Sequence, residues 1–322
     1  DDKEKIIILL ANTSWYLYNF RLSLIDKLIS ENFKVILVAP KDEYTDLLIS
    51  RDITFINWNL NRRSINPISE IFSILHLIKI YKNSKPLLVN HFTIKGCLYG
   101  SITSKLISNI KVINHITGLG PAFFSNSKRI RAINNLIKPI YRYAFKGRNT
   151  RLIFHNQDDK SVLKYMNIVR EKDCRVVMGS GIDTNYFLSS NRKQHFNKPT
   201  QILFPARVIR EKGFIELLTA SKELWEEGEN FILNVAGSLD KGNRSSLTRD
   251  EIELLDNNNR IIFLGKVEEM RDLYNKTDIV VLPSWREGLS RSLIEASSME
   301  LPIITTNVPG CREIIEDKVS GL

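Results

Sequence analysis

Two glutamates, Glu287 and Glu295, stand with seven residues between them in the stretch SWREGLSRSLIEA, which follows the apolar run DIVVLP. A carboxylate in the loop after a buried strand can accept two hydroxyl hydrogen bonds from a sugar. The amides of Gly288, Leu289 and Ser290 come just before a helical pattern, and a helix N-terminus favours phosphate. A plainer account covers half of this. Ser292-x-x-Glu295 fits a capping box, which would occupy Glu295 without any ligand. It leaves Glu287 unexplained. The second pair is in FPARVIREKGF, where Arg207 ends a strand and Lys212 opens a helix, four residues between them. Two cations at a strand's carboxyl end can hold a diphosphate and neutralise its charge as it leaves. Alone they would read as surface bases; the two glutamates from another strand end of the same half make the pair more telling.

The elements that must position these groups alternate regularly. KIIILLA, KVILVAP, ITFIN, PLLVNH, KVINHI and RLIFHN are short apolar runs in the first half, separated by helical patterns such as NFRLSLIDKLISEN and PISEIFSILHLIKIYKN. QILFPA, FILNVAG, RIIFLG, DIVVLP and PIITT repeat the scheme in the second half. Continuous Ile/Val/Leu runs separated by helices predict parallel strands buried on both faces. The expected class is α/β, with two tandem Rossmann-like doubly wound domains: 1–188 and 189–322, joined through the polar stretch SSNRKQHFNKP. Ligands of such sheets sit beyond the carboxyl ends of the strands, here in a cleft expected between the domains.

The bulk figures fit. With 322 residues, 43% hydrophobic and 25% charged, the chain suits two soluble cores. No segment reaches the roughly 18 apolar residues of a membrane span. Cys97, Cys174 and Cys311 are odd in number and scattered, which argues for a reducing compartment rather than a disulfide framework. Charge is uneven: residues 1–200 carry a net +16 and residues 201–322 a net −6. Residues 101–150 hold nine basic side chains and no acid. An anionic partner for the first half follows: a membrane surface, a phosphorylated substrate or nucleic acid. The stretch 123–148 reads as a basic amphipathic helix, with Ile130, Ile133, Ile137, Ile140 and Ala144 on one face, suited to an anionic membrane surface or to packing on its own sheet.

Arg207-x4-Lys212 followed by Glu287-x7-Glu295, with PGCREII downstream, resembles the retaining nucleotide-sugar glycosyltransferases of family 4, which have a GT-B fold. GSGID…F and KVEEMRDLYNKTDIVVLPS fit the same pattern. More narrowly, NFRLSLIDKL, NHITGLGPAFF, FHNQDD and GSLDKGNRSSLT resemble bacterial transferases that extend lipid-linked oligosaccharides, including N-acetylgalactosaminyl and galactosyl transferases. The resemblance implies roles. Arg207 and Lys212 would grip the donor diphosphate, Glu287 the donor-sugar hydroxyls and Glu295 the ribose. The amides of Gly288, Leu289 and Ser290 would meet sugar and β-phosphate, and the backbone at Lys266 and Val267 the base. On the acceptor side it points to His115, with Thr117 or Gly118 as alternatives for the same place, and to Arg21. Ala206 stands where the family often has Gly, and ANTSWYLYNFR lacks the double Gly many members carry. The family's usual last helix is absent, so the chain reads as trimmed.

The expected activity is transfer of a hexose or N-acetylhexosamine from a UDP-sugar to a saccharide acceptor on a polyprenyl diphosphate, in bacterial surface polysaccharide or glycan assembly. Neither carboxylate has to be an acid/base catalyst, and no metal or other cofactor is expected, since Arg207 and Lys212 neutralise the leaving group. The enzyme is expected in the cytoplasm, peripheral to the inner face of the plasma membrane, with no nucleic-acid partner. Two other readings differ in chemistry: an epimerase or hydrolase of the same fold, which a product assay without acceptor would separate, and a basic nucleic-acid-binding protein, for which no recognised module is present.

Overall fold

The computed structural model describes residues 5–62, 64, 66–107, 110–119, 123, 128–189, 199–240, 243, 245–248, 251–252 and 260–322, of which 128–136 by backbone alone. The chain divides into two compact units, Asp1–Ser180 and Gly181–Leu322.

Unit 1 is a parallel sheet of seven strands: β1 (Ile6–Leu10), β2 (Lys34–Ala39), β3 (Thr54–Asn57), β4 (Leu88–Phe92), β5 (Lys111–Ile116), β6 (Thr150–Phe154) and β7 (Cys174–Val176). Their order is β3-β2-β1-β4-β5-β6-β7, so the chain reverses direction across the sheet between β1 and β4. Among the described residues six α-helices connect them: α1 (Ser14–Ser30), α2 (Thr45–Ile49), α3 (Pro67–Ser84), α4 (Ile94–Leu106), α5 (Lys128–Phe145) and α6 (Gln157–Tyr165). The two-residue period of β1 and β2 divides the apolar runs between faces. Ile7, Leu9, Val35 and Leu37 pack with Leu17 and Ile25 of α1. Ile8, Leu10, Ile36 and Val38 pack with Leu77, Ile80 and Tyr81 of α3. Each such buried side chain contributes about 1.5–3 kcal/mol. Helix α6 and strand β7 lie beyond the last element read from sequence.

Unit 2 repeats the scheme with five parallel strands: β8 (Thr200–Phe204), β9 (Phe231–Val235), β10 (Ile261–Phe263), β11 (Ile279–Leu282) and β12 (Ile303–Thr305), in the order β10-β9-β8-β11-β12. The helices it shows between described bounds are α7 (Phe214–Glu226), α8 (Met270–Asn275) and α9 (Arg291–Ser298). The reversal falls between β8 and β11, the strands that lead to Arg207 and Glu287. The unit begins at Gly181, ahead of the 189 start expected from composition. The reason is Phe187, which is buried in this unit's core, 6.2 Å from the Tyr274 ring, while its carbonyl accepts from Ser298 Oγ at 2.5 Å.

Unit 1 also carries a buried polar stack. The Tyr81 hydroxyl lies 2.9 Å from His91 Nε2, and His91 Nδ1 lies 2.8 Å from Asn114 Oδ1. Burial lowers the His91 pKa to about 4, and that of His155 likewise to about 4. Both rings favour the neutral form in the fold, so the unfolded chain binds more protons between pH 6.5 and 4. Stability is therefore full above pH 6.5 and falls as pH drops toward 4, by on the order of 3 kcal/mol for each ring. Thermal melts across this window check it. His155→Gln should flatten part of the slope, and a melting temperature constant from pH 6.5 to 4 would contradict the prediction.

Candidate functional site

The site in unit 2 is built where the β8–α7 and β11–α9 loops meet. After β8 the chain runs through Pro205 and Ala206 to Arg207, then makes a 3-10 turn at Arg210–Lys212. Lys212 thus ends that turn rather than opening the helix, and α7 starts at Phe214. Gly213 between them has φ +74, and a Cβ there would lie 1.9 Å from the Pro283 carbonyl oxygen at the end of β11. Only glycine permits both the left-handed turn and this approach. The loops are further tied through the Glu211 carbonyl, which accepts from Trp285 N at 2.9 Å and Ser284 Oγ at 3.1 Å. The backbone at Ala206 is approached closely by the neighbouring loop, where position 237 must be Gly: a Cβ there would meet the Ala206 carbonyl oxygen at 1.8 Å.

This strapping brings Lys212 Nζ into an ion pair with Glu287 Oε1, both side chains mostly shielded from solvent. The Glu287 backbone is pinned from the other side. Its N–H donates to the Pro309 carbonyl at 2.9 Å, and Ser290 N donates to the Gly310 carbonyl at 2.9 Å. The Ser290 amide is thereby engaged inside the protein rather than directed at a phosphate. Arg207 lies apart from this pair, more than half exposed, with its Nη1 2.5 Å from Asp240 Oδ2. The two cations expected to act together are each held by a carboxylate.

The capping-box account of Glu295 does not hold. Helix α9 has Ser290 as its N-cap, so Ser292 is already inside it. Glu295 instead accepts from Arg291 Nε at 2.8 Å and from the Tyr274 hydroxyl at 3.1 Å. Burial raises its pKa, against the opposing pull of Arg291 and Tyr274. Lys266 is half exposed, 3.7 Å from Glu268, and Val267 packs against the core. Both follow β10, at the edge of the sheet.

In unit 1 the structure gathers the expected acceptor-side residues at the carboxyl ends of β4 and β5. Arg21 is buried on α1, its guanidinium 4.4 Å from the centre of the Phe92 ring and donating to the Tyr16 hydroxyl at 2.6 Å. Its Nε has no hydrogen-bond partner. Burial raises the Tyr16 pKa, and the neighbouring Arg21 and Thr117 side chains oppose that rise. His115 packs on Phe92 with ring centres 4.4 Å apart and planes tilted by 33°, and its Nε2 is 3.3 Å from Asn90 Oδ1. Burial, then the Arg21 charge, pushes the His115 pKa well down, which leaves the ring neutral. Gly118 follows in the loop, which Asp159 anchors by accepting from Leu119 N at 3.1 Å. Of the basic groups expected on 123–148, Lys128, Arg129 and Arg131 lie outside the described side chains. Arg142 and Lys146 are tied to the α6–β7 connection, Arg142 Nε donating to the Asn167 carbonyl at 2.9 Å and Lys146 Nζ to Asn167 Oδ1 at 2.8 Å.

Two features escaped the sequence reading. Helix α1 starts at Ser14, five residues before the expected pattern at Asn19, because Thr13 accepts from Tyr16 N at 3.1 Å and Asp42 accepts from Ser14 Oγ and from Trp15 N at 3.0 Å. The N-terminus that the missing glycines would open to phosphate is already met by a carboxylate. The second is Thr93, directly after β4 at the reversal point, with φ +65 and a buried Oγ1 that has no partner. A β-branched residue in that conformation carries about 1–3 kcal/mol of strain, a mark of sites built for function. No residue pattern announces it.

Residues 6–156 match the family described as Glycosyl transferase 4-like, and residues 188–322 the family described as Glycosyl transferases group 1. The chain is 26% identical to the N,N'-diacetylbacillosaminyl-diphospho-undecaprenol alpha-1,3-N-acetylgalactosaminyltransferase of Campylobacter jejuni, over 97% of this chain and 83% of that protein. It is 22% identical to the UDP-Gal:alpha-D-GlcNAc-diphosphoundecaprenol alpha-1,3-galactosyltransferase of Escherichia coli, over 80% of this chain and 67% of that one. The structure of Anabaena HepE in complex with UDP and glucose superposes with a TM-score of 0.74 at 19% identity, covering 99% of this chain and 85% of HepE, and shares its GT-B fold. The chain therefore belongs to the GT-B glycosyltransferases, its first half a glycosyl transferase 4-like domain and its second a glycosyl transferases group 1 domain.

Proposed function

We propose that the enzyme moves a hexose or N-acetylhexosamine from a UDP-sugar to a saccharide on a polyprenyl diphosphate, with retention at the anomeric carbon, in assembly of a bacterial surface glycan. The observation that carries the donor half is the Lys212–Glu287 pair at the reversal point of the unit 2 sheet. A cation suited to phosphate beside a carboxylate suited to sugar hydroxyls, at the point where open α/β sheets bind ligands, supports this reading. When the donor enters, its diphosphate competes with Glu287 for Lys212, and the freed carboxylate takes sugar hydroxyls in exchange. Arg207 swings from Asp240 to the same phosphates. Both cations then stabilise the UDP that departs, with no metal or cofactor required. The acceptor hydroxyl enters on the face the diphosphate leaves and gives its proton to the departing phosphate. Glu295 already accepts from Arg291 and Tyr274, so ribose hydroxyls would have to share its carboxylate with them, which makes Glu287 the stronger functional assignment.

Support for the acceptor half comes from the names of the relatives, both of which act on undecaprenyl-diphosphate-linked sugars. The net +16 of residues 1–200 suits such an acceptor and an anionic inner membrane face. No helix among the described residues is long and apolar enough to cross a membrane, and the proposed association is peripheral.

Thermal shift with UDP-Gal, UDP-GalNAc, UDP-Glc and UDP-GlcNAc tests the donor. A ligand at about one hundred times its Kd stabilises the fold by about 2.7 kcal/mol, so the preferred donor should stand out. Failure of all four to stabilise would refute the donor assignment. Rapid conversion of the donor without any acceptor would favour an epimerase or hydrolase instead.

A further inference from the structure

Helix α3 exposes an apolar face that the fold does not cover. Ile68, Ile71, Phe72 and Leu75 are 66%, 57%, 66% and 53% exposed, at i, i+3, i+4 and i+7 spacing. The opposite face is the one that packs, through Ser73, Leu77, Ile80 and Tyr81. Lys79 and Lys82 continue the exposed face toward the helix C-terminus, both exposed, and Lys85 caps it. Glu70, the only acid of the helix, is turned away and bound to Lys95 at 2.7 Å. The face is thus apolar over about 10 Å, then basic, with no negative charge. Its apolar end adjoins an open cavity of about 800 Å³ at the carboxyl end of β3, lined by Ile68, Phe72, Leu60 and Arg62.

We propose that this face of α3 is the surface by which the enzyme lies on a bilayer containing anionic lipid. The inference rests on the reading that the acceptor is carried on a lipid, and it assigns the docking role to α3. A helix with a bulky apolar stripe and lysines on the same side sinks its stripe to the acyl boundary and sets its ammonium groups among phosphates. Charge complementarity selects this occupant. A second copy of the chain would bring the same lysines and no acid on its own α3 face, whereas an anionic bilayer supplies both the apolar layer and the counter-charge. The cavity beside Phe72 then opens at the membrane surface.

Flotation with vesicles of phosphatidylcholine alone, and of phosphatidylcholine and phosphatidylglycerol in about equal parts, tests the surface. The wild type should float with the mixed vesicles. Ile71→Ser/Phe72→Ser and Lys79→Glu/Lys82→Glu should each lower that partitioning about tenfold or more. The serine pair should also weaken binding to neutral vesicles, and the glutamate pair should not. All replaced side chains are exposed, so both variants should melt with the wild type and transfer sugar to a short, water-soluble acceptor at its rate. Flotation of the serine pair equal to wild type would overturn the inference. So would a wild type that stays off both vesicles but forms a concentration-dependent dimer lost in Phe72→Ser, which would assign the face to a second copy. The vesicles hold no acceptor. A protein that floats as expected but transfers nothing to the soluble acceptor would therefore sink the proposed reaction and still support this surface.

Discussion

Glu287→Ala is expected to lower sugar transfer by about three orders of magnitude while leaving a folded protein. The carboxylate is proposed to hold the donor's hydroxyls, and it also fixes Lys212 at the strand ends. The variant loses both. Lys212 is left partly shielded without its partner, so a modest loss of stability, about 1–3 kcal/mol, should accompany the kinetic effect. Glu287→Gln separates the two: it keeps an acceptor for a hydroxyl and removes the charge that Lys212 binds. Activity of either variant with the preferred UDP-sugar, measured beside its melting curve, decides the point. Wild-type transfer by Glu287→Ala would dismiss the assignment outright.

A change with no functional group at all should be nearly as damaging. Gly213→Ala places a methyl where the Pro283 carbonyl oxygen lies 1.9 Å away, in a backbone at φ +74. The clash cannot be relieved by a side-chain rotation, because both partners are backbone. Either the 3-10 turn carrying Lys212 or the start of the loop carrying Glu287 must move. A loss of about 3–5 kcal/mol is expected, together with loss of transfer even at temperatures where the variant remains folded. Denaturant unfolding and steady-state rates measure the two parts. Gly228→Ala is a useful control: it has φ +97 but open space around it, so it carries the backbone strain without the collision. Equal effects at the two positions would mean that the approach of the two loops is unimportant.

The alternation of apolar runs made both parallel sheets readable, because strands buried on two faces need no polar residue for five or six positions. Lys212 and Glu287 were readable as neighbours because they follow two adjacent strand ends of one sheet, whereas Arg207 turns to Asp240 and Glu295 to Arg291 and Tyr274. What escaped was decided by partners distant in sequence. Asp42 reaches back across 28 residues to cap α1, so no local pattern could set the helix start. Glu295 chose Arg291 and Tyr274 over the helix terminus, and only the packing of α8 against α9 brings Tyr274 there. Thr93 adopts its strained conformation in a stretch whose residue types are ordinary. On the first half's surface, the basic composition drew the eye to 123–148. The exposed stripe of α3 reads in sequence like any helix that packs on a sheet, since a hydrophobic periodicity does not say which of two apolar faces is covered.

The carboxylate of Asp42 at the start of α1 has a consequence for stoichiometry. The two units share the strand order of a nucleotide-binding sheet, and each presents a helix just after its first strand. In unit 1 that helix already meets a fixed anion of the chain's own, so a second nucleotide would arrive against like charge. The duplicated architecture is chemically asymmetric, and titration with UDP should saturate at one equivalent per chain.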